Sequence, residues 1–279
     1  MYILIDIGGT KTRIALTEHR EAFLPPVVFE TPHTFEEWFV LFLQETTTLL
    51  QGKKVDGVII GVPGMLTSDK STIKNTPHLP QWNGTLLKKR IEDRFSCVCL
   101  LENDTALVGL GEACFGAGKE HSIVAYVTIS TGVNGVRIVN QKIDTSSFGF
   151  EIGHSIVHDN KPIEYFISGS ALQERYGKPS HEIHNLAVWQ EVNHYAGVLG
   201  ANVTMFWSPS IIVYGGPVMN DLHIETIEKE AKQSAPIYDV MPIFVRGTLQ
   251  DFGGLYGALA LSKEISEHGP RLLENVRVN

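Results

Sequence analysis

The chain has 279 residues, 43% of them apolar, enough to bury a substantial core in one large domain or two smaller ones. A formal net charge of −8 argues against a protein that grips nucleic-acid backbone, and no run approaches the roughly 18 apolar residues of a membrane helix. The three cysteines, Cys97, Cys99 and Cys114, offer no disulfide framework, and no basic-then-apolar leader precedes the first strand, so a soluble cytoplasmic protein is expected.

The first segment, Ile3 to Leu16, reads as strand, tight turn, strand. An apolar run feeds Asp6, then Gly8-Gly9, then Thr10 and Thr12 around Lys11. Backbone N–H groups, hydroxyls and a cation at one turn suit a phosphate chain, and an ordinary glycine hairpin suits the residues equally well. Asp6 at the strand end can hold a metal ion through water. Thr34 to about Leu50 has helical periodicity, with Phe35, Trp38, Phe39, Phe42, Leu43, Leu49 and Leu50 on one stripe and a Thr34/Glu37 capping box.

Val55 to Ile60 is a continuous apolar strand closing on Gly61-Val62-Pro63-Gly64, which suggests a sheet covered on both faces. The polar stretch Ser68 to Gly84 carries Asn75, Trp82 and Asn83, suited to a sugar or to turn chemistry. Cys97 to Leu101 is another buried strand, with both its cysteines expected in the core. It leads into Glu102-Asn103-Asp104 and a helix from Thr105 to Ala113. At that helix N-terminus the dipole favours an ionised Asp104, able to accept a proton or to cap the helix.

From Ile123 the pattern restarts. A shift of 124 sets Gly8 on Gly132 and Arg13 on Arg137; a shift of 154 sets Gly61 on Gly215 and Pro63 on Pro217. A duplicated α/β unit follows, giving two lobes with a cleft and a hairpin on each side of one phosphate tail. Glu151 and His154 bracket a glycine turn, and Ile163 to Leu172, with Glu164, reads as one helix. His181 and His184 read as exposed polar residues. Leu186 to Trp207 reads as a long helix burying Leu186, Trp189, Val192, Leu199, Val203 and Phe206. The strand Ile211 to Tyr214 closes on Gly215-Gly216, and a terminal helix begins at Gly253-Gly254. The lobes are expected over 1–105 and 106–265, with a polar tail over 266–279.

In order along nearly the whole chain, these residues resemble the ROK sugar kinases and repressors of the actin-like ATPase and hexokinase superfamily. The motifs that carry the resemblance are Asp6-Ile7-Gly8-Gly9-Thr10-Lys11, Gly61-Val62-Pro63-Gly64, Asn103-Asp104, Ser130-Thr131-Gly132 with Gly135, Glu151-Ile152-Gly153-His154, Glu164 with Ser168-Gly169, and Gly215-Gly216. The resemblance implies a two-lobed α/β fold of ribonuclease H-like sheets and an ATP-dependent hexose or hexosamine kinase. Asp104 would be the general base, and Gly64, Asn75, Asn103, Glu151, His154 and Glu164 the sugar ligands. It further implies phosphate contacts from Gly8, Gly9, Thr10, Lys11, Thr131 and Gly132, adenosine on Gly215-Gly216, Mg²⁺ near Asp6 through water, and a homodimer. A non-catalytic sugar-binding regulator and a sugar-independent ATPase are the rival readings.

The chain departs from the family in three ways. The cysteine-rich zinc motif is replaced by Ser155 to Ile163, so no structural zinc is expected. Asn134 and Val136 stand where the second phosphate motif typically has glycine, and the N-terminal helix-turn-helix of the repressors is not expected, since the first strand begins almost at once.

Overall fold

The structure is a computed structural model describing residues 1–76, 79–146 and 149–268. It contains two compact units: Met1–Gly111 joined by the segment that begins at Asp251, and Glu112–Gln250.

In the first unit β1 (Tyr2–Ile7) and β2 (Lys11–Thr17) form an antiparallel hairpin, and β3 (Val27–Glu30) pairs with β2. Helix α1 (Phe35–Leu50) precedes β4 (Gly57–Val62), which lies parallel to β1. A small ladder of β5 (Met65–Leu66) and β6 (Ile73–Asn75) follows, then α2 (Leu87–Phe95) and β7 (Val98–Asn103), parallel to β4. The strand order is β3-β2-β1-β4-β7, and α3 (Asp104–Cys114) leaves the last strand. Both faces of β1 and β4 are covered, which explains their unbroken apolar runs.

Thr34 starts α1 by accepting the Glu37 N–H, while its hydroxyl donates to the Glu37 carboxylate at 2.7 Å. The aromatic stripe is buried as expected, Trp38 stacking on Phe42 with centroids 5.1 Å apart. Trp82, read as a loop residue suited to a sugar or to turn chemistry, belongs to this core: it is fully buried, edge-on to Phe35 and Trp38, and its indole N–H donates to the His33 carbonyl. Cys99 is buried and Cys97 packs at the margin of the same core.

The second unit repeats the topology. Its strands are β8 (Ile123–Ile129), β9 (Val133–Val139) and β10 (Lys142–Ile143), then the two-stranded β11 (Ile156–His158) and β12 (Lys161–Pro162). Next come α4 (Glu164–Ile167), α5 (Gly169–Tyr176), α6 (Leu186–Trp207), β13 (Ile211–Gly215), α7 (Ile224–Ser234) and β14 (Ile243–Arg246). The order β10-β9-β8-β13-β14 matches that of the first sheet. Among the described residues no helix is long and apolar enough to cross a membrane.

The duplication is real, and its register differs from the sequence match. Tyr2 lies opposite Gly57 as Val124 lies opposite Ile211, so the 154 shift holds for β4 and β13 while β1 and β8 are 122 apart. The second hairpin is one residue shorter, Ile129 facing Val133 where Ile7 faces Thr12. Gly8 therefore corresponds to Ser130 rather than Gly132, and Asp6 to Thr128. Only the first copy carries the carboxylate.

Three further expectations change. The last helix, α8 (Gly253–His268), packs on β1 and β4 of the first unit rather than joining the second lobe. The helix read over 163–172 breaks at Ser168, whose hydroxyl caps α5 by accepting the Ala171 N–H. On α6, Leu186 and Phe206 are exposed, at 72% and 78%, because the buried stripe runs through Val188, Val192, Ala196, Leu199 and Val203. Of the polar tail, residues 269–279 lie outside the described residues.

Candidate functional site

In the first unit, the two carboxylates singled out from the sequence come together. Asp6 is buried near the end of β1, with the Arg13 guanidinium 3.8 Å away across the hairpin. Arg13 also reaches Asp251, at 3.2 Å, just ahead of α8. A Cβ on Gly254 would stand 2.4 Å from the Asp6 carboxyl carbon, so the first turn of α8 lies directly against this group. Burial pushes the Asp6 carboxyl up to about 6, with Arg13 opposing and Asp251 assisting.

Asp104 begins α3 at the end of β7. Its Oδ1 accepts the Thr105 N–H at 2.7 Å. Capping of the helix falls to Asn103, whose Oδ1 accepts the Ala106 N–H at 3.1 Å. The expectation of an Asp104 held ionised by the helix terminus is overturned: burial, and then the neighbouring Asp6 charge, push its carboxyl up to about 7. Desolvation and a like charge outweigh the Thr105 hydrogen bonds. A carboxyl poised there suits proton acceptance near neutral pH.

The loop expected to hold a sugar is tied to this strand end at several points. Asn103 Nδ2 donates to the Gly64 carbonyl at 3.0 Å. Gly64 has φ +87°, and a Cβ there would lie 2.0 Å from the Asn75 carbonyl oxygen, so glycine is required on both counts. The Asn75 side chain is exposed at the end of β6. Asn83, read as suited to a sugar or to turn chemistry, accepts the Thr76 N–H through Oδ1 and so serves the turn. Lys70 donates to Glu102, a buried carboxylate one residue before Asn103. Lys70→Met should lower the unfolding midpoint by a few degrees, because it strands that carboxylate. Adding Glu102→Gln should restore most of the loss in a thermal melt.

The hairpin tip separates its polar groups into exposed and internal ones. Gly9, Thr10 and Lys11 are exposed at the turn. The Gly8 N–H is closed onto the Lys11 carbonyl at 2.9 Å, and Thr12 points inward to Thr31 and the Trp38 indole N–H. The buried Thr12 hydroxyl therefore braces the hairpin against α1 and is withdrawn from the phosphate set.

In the second unit, Glu151, His154 and Glu164 converge. Glu164 Oε2 accepts the Val133 N–H at 3.4 Å, and its Oε1 lies 3.6 Å from His154 Nδ1. Burial raises the Glu151 carboxyl, with Glu164 adding to the rise and His154 opposing it. The same Glu164 borders Gly132, where a Cβ would lie 3.6 Å from Oε2. Thr131 is exposed, and its carbonyl accepts the Ser170 N–H at 3.0 Å. Gly216 has φ +93°, and a Cβ there would meet the Ile129 carbonyl at 2.3 Å, so packing against β8 alone demands glycine. A Cβ on Gly215 would strike the Tyr126 hydroxyl at 2.2 Å. His181 and His184 are exposed. Among the described residues no group of three or more His, Cys, Asp or Glu is placed to hold a metal ion.

Sequence reasoning missed three participants. Thr76 is buried, and its hydroxyl has no hydrogen-bond partner among the described residues, beside the backbone that shapes Gly64. Asp251 and the Lys70–Glu102 pair are the others. Glu102, an acid inside an apolar strand run, was the one signal available in the sequence.

The ROK family model matches residues 2–265. The chain is 26% identical to the glucokinase of Streptomyces coelicolor, covering 93% of this chain and 96% of that protein. It is 27% identical to the xylose repressor of Bacillus subtilis over 76% of this chain, spanning 61% of the repressor. A Streptomyces griseus ROK glucokinase, solved with glucose and AMPPNP, superimposes with a TM-score of 0.77 at 23% identity, covering 94% and 99% of the two chains. That likeness shows the fold, two mixed α/β sheets of the actin-like ATPase type.

Proposed function

The chain belongs to the ROK family, and from that premise we propose that it is an ATP-dependent sugar kinase acting on a hexose or N-acetylhexosamine, with Asp104 as general base. The observation that carries this reading is the Asp104 carboxyl, lifted to about 7 beside Asp6, next to an Asn103 bonded to Gly64. A sugar sensor needs no such base. Asp104 takes the proton from the sugar hydroxyl as that oxygen attacks the γ-phosphate in line, and the remaining catalysis is positioning and charge neutralisation.

Gly64, Asn75, Asn103, Glu151, His154 and Glu164 hold the sugar. The Gly8 to Lys11 turn and Thr131-Gly132 hold phosphates, and Gly215-Gly216 the adenosine. Asp6 would hold Mg²⁺ through water, because it is a buried carboxylate with a second carboxyl, Asp104, beside it. When bound, the ion supplies charge neutralisation at the phosphates. A soluble cytoplasmic homodimer completes the reading.

ATP consumption across glucose, mannose, fructose and N-acetylated hexosamines tests it, with turnover expected for at least one. The repressor likeness favours a second reading, a non-catalytic sugar-binding regulator. Titration calorimetry showing sugar binding without ATP binding supports that reading and overturns the first. Full-rate ATP hydrolysis without sugar points instead to a sugar-independent ATPase. For the kinase, kcat/KM for sugar should rise with pH through about 7 and then level off. The base works only when deprotonated and its carboxyl is raised from 3.8 to about 7. A flat profile between pH 5 and 8 contradicts the assignment.

A further inference from the structure

Glu164 anchors the acidic cluster of the second unit, yet it begins a helix of a single turn, α4, too short to hold its own position. The segment before it carries no metal-ligand set. Residues 155–163 instead close into the β11–β12 hairpin, with Asp159 and Asn160 both left-handed at φ 44° and 57°. The Ile163 N–H donates to the Ser155 carbonyl at 2.8 Å, so His154 and Glu164 leave the two ends of one closed loop.

That loop and α4 rest on an aromatic platform. Phe166 stacks on Tyr195 of α6 with centroids 3.8 Å apart, and Lys161 lies 4.5 Å over the Tyr165 ring. Arg175 of α5 joins the parts. Its guanidinium sits 5.1 Å over Tyr165, donates to the Tyr165 carbonyl at 3.4 Å, and bonds Glu191 of α6 at 2.6 Å. The side chain is largely buried, and the planar donor fork serves the ring, the carbonyl and the carboxylate together.

We propose that Arg175 is a positioning residue for sugar recognition: through Tyr165 and Glu191 it clamps α4 to α5 and α6, and so sets Glu164 and His154 without a structural metal. This rests on the sugar-kinase reading. Arg175 touches no reacting atom; it acts through the backbone of α4.

The test compares Arg175→Met, Arg175→Lys and the milder Glu191→Gln with the parent chain, using glucose, mannose, fructose and N-acetylglucosamine as probes. Arg175→Met is expected to raise the sugar KM about tenfold, with kcat within about threefold and the ATP KM unchanged. Arg175→Lys should recover part of this, since it restores the charge without the fork. Hydrogen exchange should speed up over residues 151–167 in Arg175→Met while residues 34–50 stay unchanged, a readout independent of activity. Treating the parent chain with a zinc chelator, Mg²⁺ being present, should leave its sugar KM unaltered. An unchanged sugar KM or unchanged exchange over 151–167 overturns the clamp, as does an equal rise in both KM values. Stoichiometric zinc, required for activity, overturns the metal-free claim. If no sugar is turned over while exchange responds as expected, the kinase reading fails and the role in sugar recognition fails with it, leaving only the bracing of α4.

Discussion

Asp104→Asn is expected to lower kcat by about two to four decades, the usual worth of a general base, while the sugar dissociation constant changes little. Asparagine keeps the shape and can still accept the Thr105 N–H, so binding geometry survives and only proton acceptance is lost. Near-native turnover with sugar binding intact would end the assignment.

The same variant carries a stability signature. Carboxyls raised in the folded state, Asp104 to about 7 and Asp6 to about 6, bind more protons folded than unfolded between pH 4 and 7. Their contribution is fully present below the unfolded value near 3.8 and is lost as pH rises through 6 to 7. Asp104→Asn should therefore be more stable than the parent at pH 8, on the order of 1–3 kcal/mol, with the gain vanishing near pH 4. Thermal melts at the two pH values measure it. A variant less stable at pH 8 would mean that the ionised carboxylate is favourably held.

Gly64→Ala is the second large effect. The substitution meets two penalties together, a φ of +87° and a Cβ placed 2.0 Å from the Asn75 carbonyl oxygen. The strained backbone alone costs about 1–3 kcal/mol, and the clash must be relieved by moving β6 or the Gly64 carbonyl that Asn103 holds. Sugar affinity should fall by at least tenfold by calorimetry, and ATP affinity should stay near native. If sugar binding is retained, the loop is no part of the sugar site.

Particular residues show how far the sequence can be read. The aromatic stripe of α1 and its Thr34 cap are stated by local spacing, and the strands around Ile5 and Ile59 by unbroken apolar runs. Trp82 was misread because a polar, proline-rich stretch hides a side chain that packs against α1, far away in sequence. The 124 shift failed because glycine identities matched across hairpins of different length; pairing between strands sets the register, and that is a long-range property. Leu186 was misplaced because a helical stripe names a face only once its neighbours are known.

The sequence by itself determined the family and the duplicated order of strands and helices, and it singled out Asp6, Gly64, Asn103, Asp104, Glu151, His154 and Glu164 as candidates for special chemistry. These are legible because periodicity, turn glycines and carboxylates at strand ends act locally. Only the tertiary structure decided that Asp104 is lifted by burial beside Asp6, that Asn103 caps α3, that α8 belongs to the first unit, and that Arg175 joins Tyr165 to Glu191. Each depends on desolvation, charge or packing from residues remote along the chain. The opening hairpin and its partner copy share a topology; sequence gives the first a carboxylate, Asp6, where the second has Thr128, and tertiary placement alone gives that carboxylate an acidic neighbour.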